Sequence, residues 1–247
     1  MKAMIFAAGL GTRLRPLTND RPKALVEVAG KPMLEHVIVK LINAGIDDIT
    51  INIHHFGQKI IDFINSKNNF GININISDER DMLLDTGGGI LKARNFLDGD
   101  EPILVHNADI LTNVDLTAML QNHQETGAIA TILVKSRETQ RYFLFDERYK
   151  LHGWINKKTG ETIPASLINP TEFRPLAFGG VHILSPAIFD YLEQYAKEER
   201  VFSITPFYIN QCESCLIHGF EQKTPYDWYD IGKPETLAIA EKNLKLQ

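Results

Sequence analysis

The segment Ala7-Ala8-Gly9-Leu10-Gly11-Thr12-Arg13-Leu14-Arg15-Pro16-Leu17-Thr18 sets glycines and cations directly after an apolar run. Without side chains in the way, the backbone N–H groups of such a loop can converge on an anion. Arg13, Arg15 and Lys23, which follows Pro22, add a set of cations. A guanidinium grips phosphate oxygens as a fork and an ammonium acts as a point charge, so the group suits a polyphosphate. Two better-known phosphate loops do not fit. A dinucleotide fingerprint needs a third glycine where Leu14 stands, and a Walker loop needs Gly-Lys-Ser/Thr. Taken alone, these residues also fit a tight turn carrying solvated arginines.

Two aspartates are candidate metal ligands. Asp109 follows the fourth predicted strand, at the carboxyl edge where open α/β sheets place ligands. Asp230 lies in Trp228-Tyr229-Asp230-Ile231-Gly232. By type and position alone, either one also fits a helix cap or a turn. Other suggestive groups read as structural. Cys212 and Cys215, with His218, make half a zinc site without a second pair, and pack more simply as small hydrophobes. Trp154 and Trp228 are expected to pack, His54-His55 to lie at an edge or surface, and Asp47-Asp48 to form a turn.

The elements that must hold these residues alternate. Residues 1–8 form a continuous apolar run, the pattern of a strand buried on both faces. Pro32 opens a helix with Leu34, Val37, Ile38 and Leu41 on one face, and Gly45 closes it. A strand at 49–53, a helix ending near Asn65 and a strand at 72–77 follow. Gly87-Gly88-Gly89 are expected to precede a short helix, and 103–106 to form the strand that leads to Asp109. The second half reads as a strand at 128–134, an antiparallel pair around 143–155, a loop over 161–175 and a strand at 178–184. Helices from Pro186, Ser203 and Pro234, with a strand at 216–220, complete it. This pattern predicts a single α/β domain with a Rossmann-like, mostly parallel mixed sheet flanked by helices.

The 247 residues suit one domain, with 44% apolar and 23% charged residues, which excludes disorder, collagen and coiled coil. The net charge of −5 argues against a nucleic-acid scaffold or a polybasic membrane binder. Two cysteines make no disulfide framework. No apolar run reaches the length of a signal core or a membrane span, and a cytoplasmic protein is expected.

Several separated motifs share one order along the chain. The loop from Ala7 to Thr18, Pro22-Lys23 and Gly30-Lys31-Pro32 come first. Asp85-Thr86-Gly87-Gly88-Gly89, Asn107-Ala108-Asp109, Phe178-Gly179-Gly180 and the segment around Asp230 follow. Together they resemble the nucleoside-diphosphate-sugar pyrophosphorylases, the sugar-1-phosphate nucleotidyltransferases. Within that family the short length and the Thr-Gly-Gly-Gly segment are most similar to the N-acetylmuramate-1-phosphate uridylyltransferases of cell-wall recycling.

The resemblance implies transfer of a nucleoside monophosphate from an NTP, UTP in the first instance, to a sugar 1-phosphate. It implies Mg²⁺ held by Asp109 and Asp230, with Arg13, Lys23 and Asp109 catalytic. Ala8, Gly9, Gly11, Thr12, Arg13, Lys23, Thr86 and Gly87 would bind the nucleotide. Asn107, Gly180 and Glu172 would bind the sugar phosphate. The nucleotide-binding half would be residues 1–135 and the sugar-binding half 136–247, in a monomer or small homo-oligomer. Ala108 departs from the glycine often found between the asparagine and the aspartate. The same chemistry with GTP, CTP or dTTP and another phosphorylated alcohol is an alternative, as is a non-catalytic subunit that binds NDP-sugar.

Overall fold

In the computed structural model, which describes residues 1–167 and 169–244, the opening apolar run is buried on both faces of a sheet. Within strand β1 (Lys2–Phe6), Ala3 and Ile5 enter one apolar cluster while Met4 enters another on the opposite side. A short hairpin of β2 (Glu27–Val28) and β3 (Lys31–Pro32) follows the glycine–arginine loop. Helix α1 (Met33–Asn43) then buries Leu34, Val37, Ile38 and Leu41 and leads to β4 (Asp48–Ile53). Helix α2 (Gly57–Ser66) leads to β5 (Asn73–Asp78), and α3 (Asp85–Lys92) with α4 (Arg94–Leu97) leads to β6 (Ile103–Asn107). Strands β4 and β6 flank β1 in parallel, and β5 extends the sheet beyond β4. The βαβ crossovers read from the sequence are therefore present.

The chain continues through β7 (Ile110–Thr112) and α5 (Leu116–Thr126) to β8 (Ala130–Lys135), then β9 (Arg141–Phe145), β10 (Leu151–Asn156) and β11 (Thr162–Ile163). Strand β12 (Arg174–Leu184) is the longest. Its last residues pair antiparallel with β6 and β8, and its first with β9. The register against β8 shifts between Phe178 and His182, and Gly180 there takes φ +75, a left-handed conformation that suits glycine. Helices α6 (Ile188–Ala196) and α7 (Ile204–Gln211), strands β13 (Ile217–Phe220) and β14 (Trp228–Asp230), and α8 (Pro234–Leu244) complete the order. The main sheet has ten strands, parallel around β1 and antiparallel from β12 through β11, in one α/β domain.

Three details differ from the sequence reading. Gly87, Gly88 and Gly89 lie inside α3, not before it. A Cβ on Gly87 would meet the Phe202 ring at 2.3 Å, and one on Gly88 the Arg200 carbonyl oxygen at 2.7 Å. The glycines thus serve a close approach between α3 and the segment before α7. The 161–175 stretch is not all loop, since it contains β11 and the start of β12. Finally, β14 pairs antiparallel with β7 as a separate two-stranded ribbon, with Asp230 opposite Ile110. Strands of three residues leave no periodicity to read.

Candidate active site

The glycine–arginine loop is pinned from below. Gly11 has φ +65, and its Cα packs so closely that a Cβ would lie 2.9 Å from Lys23 Cβ. The Thr18 hydroxyl donates to the Gly11 carbonyl at 2.9 Å. Leu14 is buried in the core, while Thr12, Arg13 and Arg15 around it are exposed. The buried leucine therefore anchors a turn whose cations face outward.

Beneath the loop lies a buried network that the sequence did not disclose. Asn52, at the end of β4, accepts from the N–H of Ala7 at 2.8 Å and of Ala8 at 3.3 Å. Its amide donates to Glu79 Oε1 at 2.8 Å, and the Leu84 N–H donates to Glu79 Oε2 at 3.1 Å. Both side chains are buried. Three strand ends and the approach to α3 are thus tied to the backbone of the phosphate loop. No single residue type marks such a network, because the chain must first bring its members together.

The β7–β14 ribbon brings the two aspartates to one place. The Ile231 N–H donates to the Asp109 carbonyl at 2.8 Å. The Asp109 carboxylate pairs with the Lys23 ammonium. A Cβ on Gly232 would meet Asp230 Oδ1 at 2.8 Å and Arg13 Nη2 at 3.2 Å, so Arg13 and Asp230 face the same glycine. Burial raises the pKa of the Asp230 carboxyl, as does the nearby Asp109 carboxylate, and Lys23, Arg13 and Arg137 oppose the rise. Among the described residues no three His, Cys, Asp or Glu side chains form a metal cage. A carboxylate pair open to solvent suits Mg²⁺, which keeps waters and substrate phosphates as its other ligands.

A cavity of about 430 Å³ opens above this floor, lined by Ala8, Gly9, Lys23, Thr86, Asn107 and Asp109 among others. Arg13 and Asp230 line an adjoining cavity of about 480 Å³. Asn107 rests on Gly180, whose Cβ would lie 3.1 Å from Asn107 Nδ2. Ala108 is buried, its N–H donating to the Phe6 carbonyl. The Thr86 hydroxyl accepts from the Ile204 N–H at 2.9 Å, so it caps α7, and it lies 3.4 Å from the Ser203 hydroxyl. Gly87 packs behind the wall, its N–H donating to the Phe202 carbonyl at 2.9 Å. Glu172 lies on an exposed turn before β12, where it accepts from Asn169, and lines neither cavity.

Arg137 is the residue that the sequence reading missed. It lines the Asp230 cavity, lies over the Trp228 ring at 4.7 Å and donates to the Phe178 carbonyl at 3.3 Å. Burial lowers its pKa, against the pull of Asp230. Trp228 in turn donates from Nε1 to the Gly179 carbonyl at 2.8 Å, which fits its expected packing role. The other suggestive groups are structural. Both cysteine thiols donate to carbonyls one turn back, and burial pushes the Cys215 thiol up to about 11. His54 bonds the Glu79 carbonyl through Nδ1, and Asp48 accepts from Asn73 and Asn75 within the sheet.

The family model for nucleotidyl transferases matches residues 2–246. The N-acetylmuramate alpha-1-phosphate uridylyltransferase of Caulobacter vibrioides is 31% identical, covering 98% of this chain and 96% of that protein. The protein of the same name from Neisseria meningitidis is 33% identical, covering 94% and 93%. The crystal structure of HddC from Yersinia pseudotuberculosis complexed with GMP-PN has the same fold, with a TM-score of 0.78 at 22% identity over 99% of each chain. The chain therefore belongs to the nucleotidyl transferase family, as a sugar-1-phosphate nucleotidyltransferase.

Proposed function

We propose that this chain transfers the uridylyl group of UTP to N-acetylmuramate 1-phosphate, or to a closely related N-acetyl amino-sugar phosphate, releasing pyrophosphate. The observation that carries the transferase chemistry is the meeting of the Lys23–Asp109 pair with Asp230 and Arg13 across the β7–β14 ribbon. The choice of uridine and of the muramyl sugar rests on the nearly full-length relatives of that name.

The attacking group is an oxygen of the sugar phosphate, largely dianionic at neutral pH because its second pKa lies near 6. It needs no general base. The barrier is electrostatic, since one polyanion must approach the α-phosphate of another, and catalysis then rests on positioning and charge neutralisation. Asp109 and Asp230 would hold Mg²⁺, which supplies charge neutralisation between nucleotide and acceptor phosphates. Lys23, at the cavity floor, would offer its ammonium to the nucleotide phosphates. Arg13 reaches the same region from the exposed loop.

Ala8, Gly9, Gly11 and Thr12 form the loop that would wrap the nucleotide phosphates, with Thr86 and the helix of Gly87 on the base and ribose side. Asn107, in the cavity lining, and Gly180, packed against it, would meet the acceptor phosphate, and Glu172 would have to reach in from its exposed turn. Residues 1–135 then serve the nucleotide and 136–247 the sugar. A cytoplasmic monomer or small homo-oligomer completes the reading. Among the described residues, no helix is long and apolar enough to cross a membrane.

The test is pyrophosphate release with each NTP across a panel of sugar 1-phosphates, with and without Mg²⁺. Fastest release is expected with UTP and N-acetylmuramate 1-phosphate, and only when the cation is present. Absence of release from every pair would leave a binding subunit in place of an enzyme.

A further inference from the structure

A second pair of arginines faces a cavity that the phosphate chemistry does not account for. Arg137 and Arg141 line a space of about 610 Å³ between β9, β10 and the start of α7. The rings of Phe143, Trp154 and Phe178 wall it, and its described lining residues include no acid. Neither arginine has an ion-pair partner among the described residues. The buried Nε of Arg137 has no hydrogen-bond partner among the described residues, although its Nη2 donates to the Phe178 carbonyl. Arg137 is partly buried and feels Asp230 across its other cavity, whereas Arg141 is exposed, and the acid-free lining between them leaves both guanidinium groups open to an arriving anion.

The placement separates this pair from the cations already described. Arg137 lines both this cavity and the one that holds Asp230, whereas Arg141 lines only this one. A phosphate beside Asp230 is therefore within the surroundings of Arg137, but it leaves Arg141 unused. Arg141, exposed further along the wall, is placed to meet a second anion. The hydroxyls of Thr139, Ser203 and Thr205 in the same lining match the donors and acceptors of a sugar ring. The aromatic rings match its apolar faces.

We propose that Arg137 and Arg141 select acceptor sugars bearing a carboxylate in addition to the phosphate. The inference rests on the transferase reading and narrows its substrate class. A carboxylate meets the fork of Arg137 or Arg141 with two parallel hydrogen bonds, whereas a neutral sugar leaves one guanidinium without a partner. Both are positioning residues, which act by orienting the acceptor sugar.

The experiment compares kcat/KM for N-acetylmuramate 1-phosphate, which carries a lactyl carboxylate, with that for N-acetylglucosamine 1-phosphate, which lacks it. For Arg141→Gln and Arg137→Gln, the ratio of acidic to neutral acceptor is expected to fall about tenfold or more, mainly through KM. Arg137→Lys, which keeps the charge without the fork, is expected to retain part of that ratio. An unchanged ratio in both glutamine variants, whether activity is kept or lost equally on both acceptors, would overturn the proposal. Calorimetry of free N-acetylmuramate and N-acetylglucosamine reads the same preference without turnover. A preference for the acid that weakens in Arg141→Gln supports the proposal, and no preference in the wild type overturns it. Should the wild type turn over neither sugar phosphate, the substrate reading above falls, while the calorimetry still decides the role of the arginines.

Discussion

Replacing Asn52 with alanine tests the physical link between the sheet and the phosphate loop. Its side chain makes three hydrogen bonds, to the N–H groups of Ala7 and Ala8 and to Glu79 Oε1, at 2.8, 3.3 and 2.8 Å. Asn52 is 2% exposed and Glu79 0%. Truncation strands the Ala7 N–H and one Glu79 oxygen, and each unmet buried group costs about 1–3 kcal/mol. Ala8 borders the cavity, so its N–H can turn to solvent at little cost. Asn52 and Glu79 also border that cavity, so a water can partly replace the lost amide and the lower part of the range applies. The expected loss is about 2–3 kcal/mol, against a total stability on the order of 5–15 kcal/mol. Urea unfolding at unchanged m would show it as a lower midpoint. The loosened Ala8-Gly9 backbone should also raise KM for the nucleotide. A stability loss below about 1 kcal/mol together with unchanged KM would refute the claim that this network shapes the loop.

Other expectations follow from the same geometry. Asp109→Asn and Asp230→Asn should each lower kcat by about a hundredfold or more, the scale of a lost electrostatic stabiliser, with melting curves still cooperative. Near-normal turnover in both would rule out the carboxylate pair as the cation site. Gly180→Ala places a Cβ 2.6 Å from Ile110 Cγ1 at φ +75. Left-handed strain of about 1–2 kcal/mol plus overpacking predicts a loss of about 2–4 kcal/mol in urea, and a change under 1 kcal/mol would contradict it. Burial lowers the pKa of His123 from 6.5 to about 4 and of His182 to about 3. The unfolded chain then takes up protons that the native state refuses, so stability is full above pH 6.5 and declines as pH falls toward the folded values. The loss is about 1.4 kcal/mol per pH unit for each histidine, or about 2 kcal/mol each between pH 7 and 5. His123→Gln should flatten that decline, and a wild-type profile that stays level to pH 5 would count against it.

Much of the site was legible because its parts are local. The loop from Ala7 to Thr18 is marked by glycines and cations a few residues apart, and Lys23 and Asp109 follow strand or proline signals nearby. Helix α1 was readable from Pro32, four apolar positions and Gly45, since its burial depends on one stripe. The triple glycine was read one step wrong. Its cause, contact with Phe202 and Arg200, lies far along the chain.

Residue type and spacing alone determined that a glycine- and cation-rich loop opens an α/β domain, because both arise from interactions between near neighbours in the chain. Only the tertiary structure decided that Asp230 stands beside Asp109, since that depends on two strands of three residues each finding one another. The same holds for the Asn52–Glu79 support and for the placement of Arg137 between two cavities. Each is a sum of distant backbone placements, and the free energy that fixes it comes from the packed core and not from the residues at the site.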